Sequence, residues 1–373
     1  FGGLLLDQTD HTIKWRTDLD YNWSQRLKLR TGAETEYRSN QFLGTIPVDD
    51  EIVDPRGDFT AINESIGATR LGTWMELNVE LLPKMTLNMG IRSDYLSAGN
   101  QWIADPRINL NYQTGEYSSV NLAAGRFRQF PEPFEFNNET GNPGLHAQQA
   151  WHYIGSAEYK KDLLHLRGEV YYKDYDNLVI EDEFSNLSNR GHGFASGVDL
   201  FAKYSEFLRT RFNGWLSYSF LKSNRFQPRR LADGLAFDLA PSDYALTHNL
   251  SLVGKYRIWK MLTIGATYRM TTGQPFTPVI DAVFNDDFGF FSPVEGTVNS
   301  RRLPQFRRLD VDLSYFWMFS GNHSVIFFMS VSNALDRANV TDITYNEDFS
   351  ERRFILSNFE RFLFLGATLN LEL

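Results

Sequence analysis

The sequence predicts an all-β protein, a transmembrane antiparallel β-barrel, on three observations. Polar and apolar residues alternate through runs of about ten residues, roughly the span of a tilted strand in a bilayer. Tight turns and long loops alternate strictly in joining these runs. Mean hydropathy is −0.37 over 373 residues, and no apolar run approaches the ~18 residues a membrane helix needs. A barrel tolerates low hydropathy because only every second residue meets lipid.

The clearest unit is the hairpin Thr73–Tyr95. Thr73, Met75, Leu77, Val79 and Leu81 point one way, Trp74, Glu76, Asn78 and Glu80 the other. After Leu82-Pro83-Lys84, Met85, Leu87, Met89 and Ile91 alternate with Thr86, Asn88, Gly90 and Arg92. One face is apolar and the other polar. Upstream, Ile13–Trp23 and Leu27–Tyr37 pair around Ser24-Gln25-Arg26. Their second face carries charges of both signs, costly towards lipid and natural towards a wet lumen or a plug.

Downstream, Arg107–Tyr112 pairs with Val120–Phe130, Trp151–Lys160 with Leu164–Lys173, and Ala195–Tyr204 with Arg209–Leu221. Ala245–Arg257 with Met261–Thr272 and Leu309–Trp317 with Ser324–Asn333 follow, then a last strand through Leu363, Leu365, Ala367, Leu369 and Leu371. Gly125-Arg126-Phe127-Arg128-Gln129 breaks the alternation, which marks a bulge or the membrane rim. Long loops are expected at about 40–68, 96–105, 131–147, 177–190, 222–243, 273–300 and 335–358. Outer-membrane barrels sort their connections this way, with short periplasmic turns and long extracellular loops. Sandwiches and propellers have no reason to.

Composition narrows the function. A net charge of −9 argues against nucleic acid, whose phosphates need a basic surface. Cysteine is absent, so there is no disulfide framework, thiol nucleophile or thiolate metal site. Aromatic residues at 15% suit interfacial girdles. The count is about fifteen strands, whereas closed antiparallel barrels take even numbers. An open edge in lipid leaves backbone groups unsatisfied at several kcal/mol each. The expectation is therefore the C-terminal part of a larger barrel.

Several stretches add a family likeness. They are Asp105-Pro106-Arg107-Ile108, Gly125–Pro131, Asn142-Pro143-Gly144-Leu145 before Gln149–Tyr153, and Tyr171–Leu178. Gly193–Val198, Thr247–Leu250, Thr272–Pro278, Arg302-Leu303-Pro304, Arg308-Leu309-Asp310 and Ser332–Val340 continue the set. In order and spacing, over about 100–373, the chain resembles the C-terminal barrel portion of a TonB-dependent outer-membrane receptor. The resemblance implies a barrel of about 22 strands, with the missing strands, a plug domain and an energy-coupling box upstream or on a separate chain. It implies the outer membrane of a Gram-negative bacterium, with lipid, lipopolysaccharide and, through the absent N-terminal part, the TonB complex as partners. Such barrels usually end in an aromatic residue. This chain ends in Leu373.

Function is expected in the loops. Trp102, Phe130, Phe134, Phe136, His192, Phe288, Phe290 and Phe291 offer aromatic faces to a bulky ligand; the same residues would serve loop packing or a girdle. Arg229, Arg230, Arg301 and Arg302 offer forked bonds to an anionic siderophore or to lipopolysaccharide phosphates, or are simply solvated. Lys14, Arg16, Glu34, Glu76, Glu80 and Arg92 are expected to pair with one another or with a plug. The acidic groups at Asp49–Asp54 and Asp286-Asp287 lack the EF-hand spacing. Gly191-His192-Gly193 heads a strand with no helix after it, so its glycines read as strand geometry rather than a nucleotide loop. Neither HExxH nor GxSxG occurs. No enzyme and no cofactor are indicated. The reading is part of an active importer of a scarce bulky ligand, a ferric siderophore by default, with cobalamin, oligosaccharide and peptide open. The alternative is a passive channel or structural barrel subunit.

Overall fold

The computed structural model describes residues 5–47, 59–136, 141–181, 186–205, 210–231, 234–285, 289–320 and 323–371. Apart from one 3-10 turn, Pro133–Phe136, its regular structure is all strand. The first strands are β1 (Leu5–Asn22), β2 (Leu27–Pro47), β3 (Phe59–Leu82), β4 (Met85–Leu96) and β5 (Gln101–Tyr112). Next come β6 (Ser118–Gln129), β7 (Gln148–Lys161), β8 (Leu164–Glu181), β9 (Leu187–Tyr204), β10 (Phe212–Leu231) and β11 (Gly234–Pro241). The chain continues through β12 (His248–Arg257), β13 (Leu262–Thr271), β14 (Pro275–Phe276), β15 (Val279–Asn285), β16 (Phe290–Glu295) and β17 (Arg301–Arg302). It ends with β18 (Phe306–Ser320), β19 (His323–Ser332), β20 (Val340–Tyr345), β21 (Arg352–Leu356) and β22 (Phe362–Asn370).

Fifteen of these strands follow one another along the main sheet in chain order, with β11 added beside β10. Three two-stranded ribbons, β14 with β17, β15 with β16 and β20 with β21, stand apart from it. The chain forms two compact units. One comprises Phe1–Tyr112, Asn121–Tyr153 and Lys173–Gly193; the other comprises Gln113–Val120, Ile154–Tyr172 and Phe194–Leu373.

In the first unit, β1 to β5 pair as successive antiparallel neighbours. One row across the sheet is Thr31, Met75, Ile91 and Pro106; the adjacent row is Gly32, Trp74, Arg92 and Asp105. Burial is reversed from that of a soluble sheet. Met75 is 51% exposed and Trp74 only 6%, while Asp94 on the charged face is 1% exposed. In the second unit β10, β12, β13, β18, β19 and β22 pair in that order, all antiparallel. There the row Leu313, Met329 and Leu365 lies on the apolar face, with Leu365 at 65% exposure. An apolar face exposed along whole strands, opposite a polar face that is half-buried, suits lipid on one side.

The loop boundaries differ from those the sequence predicts. Pairing carries β2 to Pro47 and starts β3 at Phe59, inside the expected loop 40–68. The expected loop 96–105 is a four-residue turn, 97–100, with Asn100 at φ 48° and Pro106 inside β5 opposite Ile91. The expected loops 177–190 and 222–243 contain the ends of β8 and β9, and the hairpin β10–β11. Those at 273–300 and 335–358 contain the free-standing ribbons. Beyond the lipid band both faces of a ribbon meet water or protein, so pairing continues where the period of two has no reason to. Around Gly125 the exposed apolar residues shift from Leu122 to Phe127, an odd spacing, as the broken alternation there suggests.

Arg in place of Met75 should lower stability by about 2–4 kcal/mol if lipid meets this face near mid-depth. Arg at Asn78, on the opposite face, should cost well under half of that. Urea unfolding of the full-length protein in liposomes measures both. Equal costs would contradict the assignment of the faces.

Candidate functional site

On the charged face of the first unit, ion pairs are built across glycines. Glu34, Gly72 and Asp94 stand in one row over three strands. Because Gly72 has no side chain, Arg92 crosses above it and holds Glu34 at 2.5 Å and Asp94 at 2.7 Å. A Cβ at Gly72 would stand 2.7 Å from Asp94 Oδ1 and 2.9 Å from Arg92 Nη2. Arg70 adds a second cation to Asp94 at 3.1 Å. One row along, the Trp74 indole lies over Gly32, and Arg16 and Arg92 sit 4.5 and 5.5 Å from its centroid. The pattern repeats at Gly90, which Arg107 crosses to bond Glu76. Lys14 completes the group on Glu34 and Glu36, at 3.5 and 3.3 Å. Of the charges singled out in the sequence, Lys14, Arg16, Glu34, Glu76 and Arg92 thus pair within this sheet. Arg70, Asp94 and Arg107 are members that the sequence reading did not single out, although each lies in the polar phase of its strand.

At the loop end of this unit, Ala68, Leu96, Phe136 and Leu145 form a small apolar core, with Phe130, Ala98, Val179 and Leu187 packed against it. Leu145, 1% exposed, is its centre. Asn142 sends its amide to the Leu187 carbonyl at 2.8 Å and accepts the Gly144 N–H at 2.8 Å. Asn189 accepts the His146 N–H at 2.7 Å and donates to the His146 and Asn177 carbonyls. The Asn142-Pro143-Gly144-Leu145 stretch is therefore a latch between loop and wall. Phe130 and Phe136, expected as ligand contacts, are taken up by that latch. Trp102 belongs on the apolar face, in a row with Leu71 and Tyr95, its ring 4.9 Å from that of Tyr95. Register therefore places Trp102 on the apolar face. His192 is exposed between buried Gly191 and Gly193 on β9. The side chain of Phe134 lies outside the described residues, as do Phe288 and the acidic groups 49–54 and 286–287.

The loop end of the second unit has its own scaffold. Asn299, at φ 51°, donates to the Pro241 carbonyl and to Asp243, both at 2.7 Å. Arg302 Nη1 donates to the carbonyls of Ala245 at 2.7 Å and Gly273 at 3.1 Å. Arg229 stands 3.0 Å from Asp238. Two of the four arginines expected to meet an anion are thus engaged within the fold. Arg230 and Arg301 are exposed; the Arg230 backbone N–H donates to Glu295 at 2.8 Å.

Two ribbons of this unit, β15–β16 and β20–β21, flank an open cleft of about 1300 Å³. Phe284, Phe290, Phe291, Ile343, Tyr345 and Phe349 give it an apolar wall, and Asn346, Glu347 and Asp348 a polar end. Phe284 and Phe291 pair edge to face at 5.0 Å, and the Val279 N–H reaches the Tyr345 hydroxyl at 3.4 Å. Phe349 adopts φ 58°, a left-handed conformation uncommon for a bulky residue. The tip carrying it is fixed by Asn346, which accepts the Glu351 N–H at 2.8 Å, and by Asp348, which accepts the Ser350 N–H and hydroxyl at 3.0 and 2.6 Å. Those bonds hold the Asp348 carboxyl below the usual carboxylate range. Among the described residues no group of three or more His, Cys, Asp or Glu is placed to hold a metal ion.

A family model described as "TonB dependent receptor-like, beta-barrel" matches residues 2–334. No curated protein matches. Among solved structures, the ferric-catecholate import receptor Fiu from E. coli K12 superposes with a TM-score of 0.69 at 15% identity, over 98% of this chain and 55% of that one. The siderophore receptor PiuA from Acinetobacter baumannii gives 0.68 at 13%, over 98% and 56%. The ferripyoverdine receptor of Pseudomonas aeruginosa gives 0.63 at 13%, over 97% and 48%. The chain spans about half the length of these structures.

Leu at Arg92 should lower stability by about 3 kcal/mol, because Glu34 and Asp94 are then left buried beside a lost cation. Adding Leu at both carboxylates should restore part of that loss; urea unfolding of the full-length protein reads both. At the loop tip, folding lowers the Asp348 pKa, so its contribution is present above the ordinary value of about 4 and lost as pH falls through the lowered one. Protection of the Ser350 amide from hydrogen exchange, corrected for intrinsic rate, should therefore hold from neutral pH to about 4 and fall below it. In Asp348→Asn it should be reduced already at neutral pH.

Proposed function

Since the chain belongs to the TonB-dependent receptor-like β-barrel family of the Gram-negative outer membrane, we propose that it is wall and capture loops of an active importer. The cargo in this reading is a scarce bulky metal chelate, a ferric siderophore foremost, and the energy comes through TonB. The observation that carries it is the reversal of burial. Met75 and Leu365 are exposed on the apolar faces of their own units, while Glu34, Arg92 and Asp94 close on one another on the opposite face of the first unit. A wall whose inner charges are already neutralised needs no fixed counter-ion, so a plug can sit against it and move.

Among the described residues β1 pairs only with β2, and β22 only with β19. In lipid each outer edge needs a partner, and the remaining barrel strands are proposed to supply it. The aromatic cleft supplies capture, with its walls carried on ribbons rather than on the membrane strands. Lipopolysaccharide phosphates are proposed to meet the exposed Arg230 or Arg301. As in the family, the role is transport without bond chemistry.

Uptake of a ferric chelate by cells carrying the full-length protein should stop when an uncoupler collapses the proton-motive force. Liposomes containing it should stay nearly closed to small sugars. Sugar permeation with uptake insensitive to uncoupler would instead favour a passive channel.

A further inference from the structure

Resting on the capture reading above, we infer that the cleft between β15–β16 and β20–β21 selects a metal chelate of net positive charge with apolar surface. It disfavours a tris-catecholate trianion. The cleft, at about 1300 Å³, exceeds the usual few hundred to ~1,000 Å³ of small-molecule pockets, so its guest is bulky. Among the described residues its lining holds five aromatic side chains and two carboxylates, Glu347 and Asp348, and no lysine, arginine or histidine. The cations on the neighbouring strand are engaged elsewhere. Arg352 lies 5.3 Å over the Phe354 ring, and Arg353 stands 3.2 Å from Glu351.

Both kinds of lining group act with the same sign. Aromatic faces attract a cation through the ring quadrupole, and each carboxylate attracts it again. The Ser350 hydroxyl and amide keep Asp348 ionised well below neutral pH. At contact distance in water each carboxylate is worth about fivefold in binding, favourable to a cation and unfavourable to an anion. The arginines that an anionic chelate would seek in this unit are partly spent, Arg229 on Asp238 and Arg302 on two carbonyls. Charge complementarity therefore chooses among guests that share a metal and a size.

The full-length receptor in nanodiscs, titrated by tryptophan-fluorescence quenching, tests this with three iron complexes. Ferrioxamine B carries a pendant ammonium, its N-acetyl derivative is neutral and near-isosteric, and ferric enterobactin is a trianion. Ferrioxamine B should bind at least tenfold more tightly than ferric enterobactin, and several-fold more tightly than the acetylated form. Glu347→Lys should shrink both preferences by about fivefold or more. Phe290→Ala and Phe291→Ala should weaken ferrioxamine B without altering the unfolding transition. If ferric enterobactin binds as well or better, and Phe290→Ala weakens it, the cleft remains the capture site and the charge assignment falls. If no complex binds, or none responds to Phe290→Ala or Glu347→Lys, the capture site and the charge assignment fall together.

Discussion

Lipid on one side of a sheet constrains everything placed on the other. Every second residue is committed to the apolar face, so polar chemistry has only the alternate positions, spaced at fixed distances by the pleat. Ion pairs then form either across strands, as Arg92 with Glu34, or between residues i and i+2 of one strand, as Arg92 with Asp94. Side chains in one row of neighbouring strands crowd each other, and glycine relieves the crowding. Gly72 lets Arg92 reach across β3 to Glu34 on β2 while it also holds Asp94 on its own strand, and Gly90 lets Arg107 reach Glu76 across β4. Gly32 takes the Trp74 ring on which two guanidiniums rest. A Cβ at any of the three would displace the cation or the ring.

Outside the lipid band this constraint relaxes and the chain changes its devices. Wall and loop are joined by side-chain amides that satisfy backbone groups where strand pairing stops. Asn142 and Asn189 do so beside the Leu145 core, and Asn299 beside β11. Asn333, 1% exposed and at φ 50°, donates to the carbonyls of Arg337 and Phe359, while its N–H goes to Asp310. An amide both donates and accepts, so it can close a turn without bringing in a charge. Stretches that carry the family likeness, among them Asn142–Leu145 and Ser332–Val340, are therefore largely architectural.

That division bears on specificity. Residues that hold loops to the wall cannot also yield to a guest. Under the proposed capture role the guest is better placed on the ribbons outside the main strand ladder, and the aromatic cleft lies between two of them. Its lining comes from segments about fifty residues apart in sequence, Phe284 with Gly289–Phe291 and Ile343–Phe349. Different guests can be suited by changing those ribbons while the strand register below stays fixed.

The sequence by itself determined the all-β class, the fifteen main strands and the faces they present, because a period of two is imposed by local geometry and one-sided solvent. It also located the break near Gly125 and a charged face whose groups would pair with one another or with a plug. Only the tertiary structure decided where strands end, since ribbons beyond the lipid keep pairing with no alternation to announce it. It alone separated the aromatic residues by place: Trp102 on the apolar face, Phe136 in a loop core, Phe290 and Phe291 in the cleft. Those fates depend on cross-strand register and on contacts between distant segments, which a linear period does not encode. Glu347 and Asp348 entered the picture for the same reason: an exposed acidic loop acquires meaning from the aromatic wall that another ribbon places beside it.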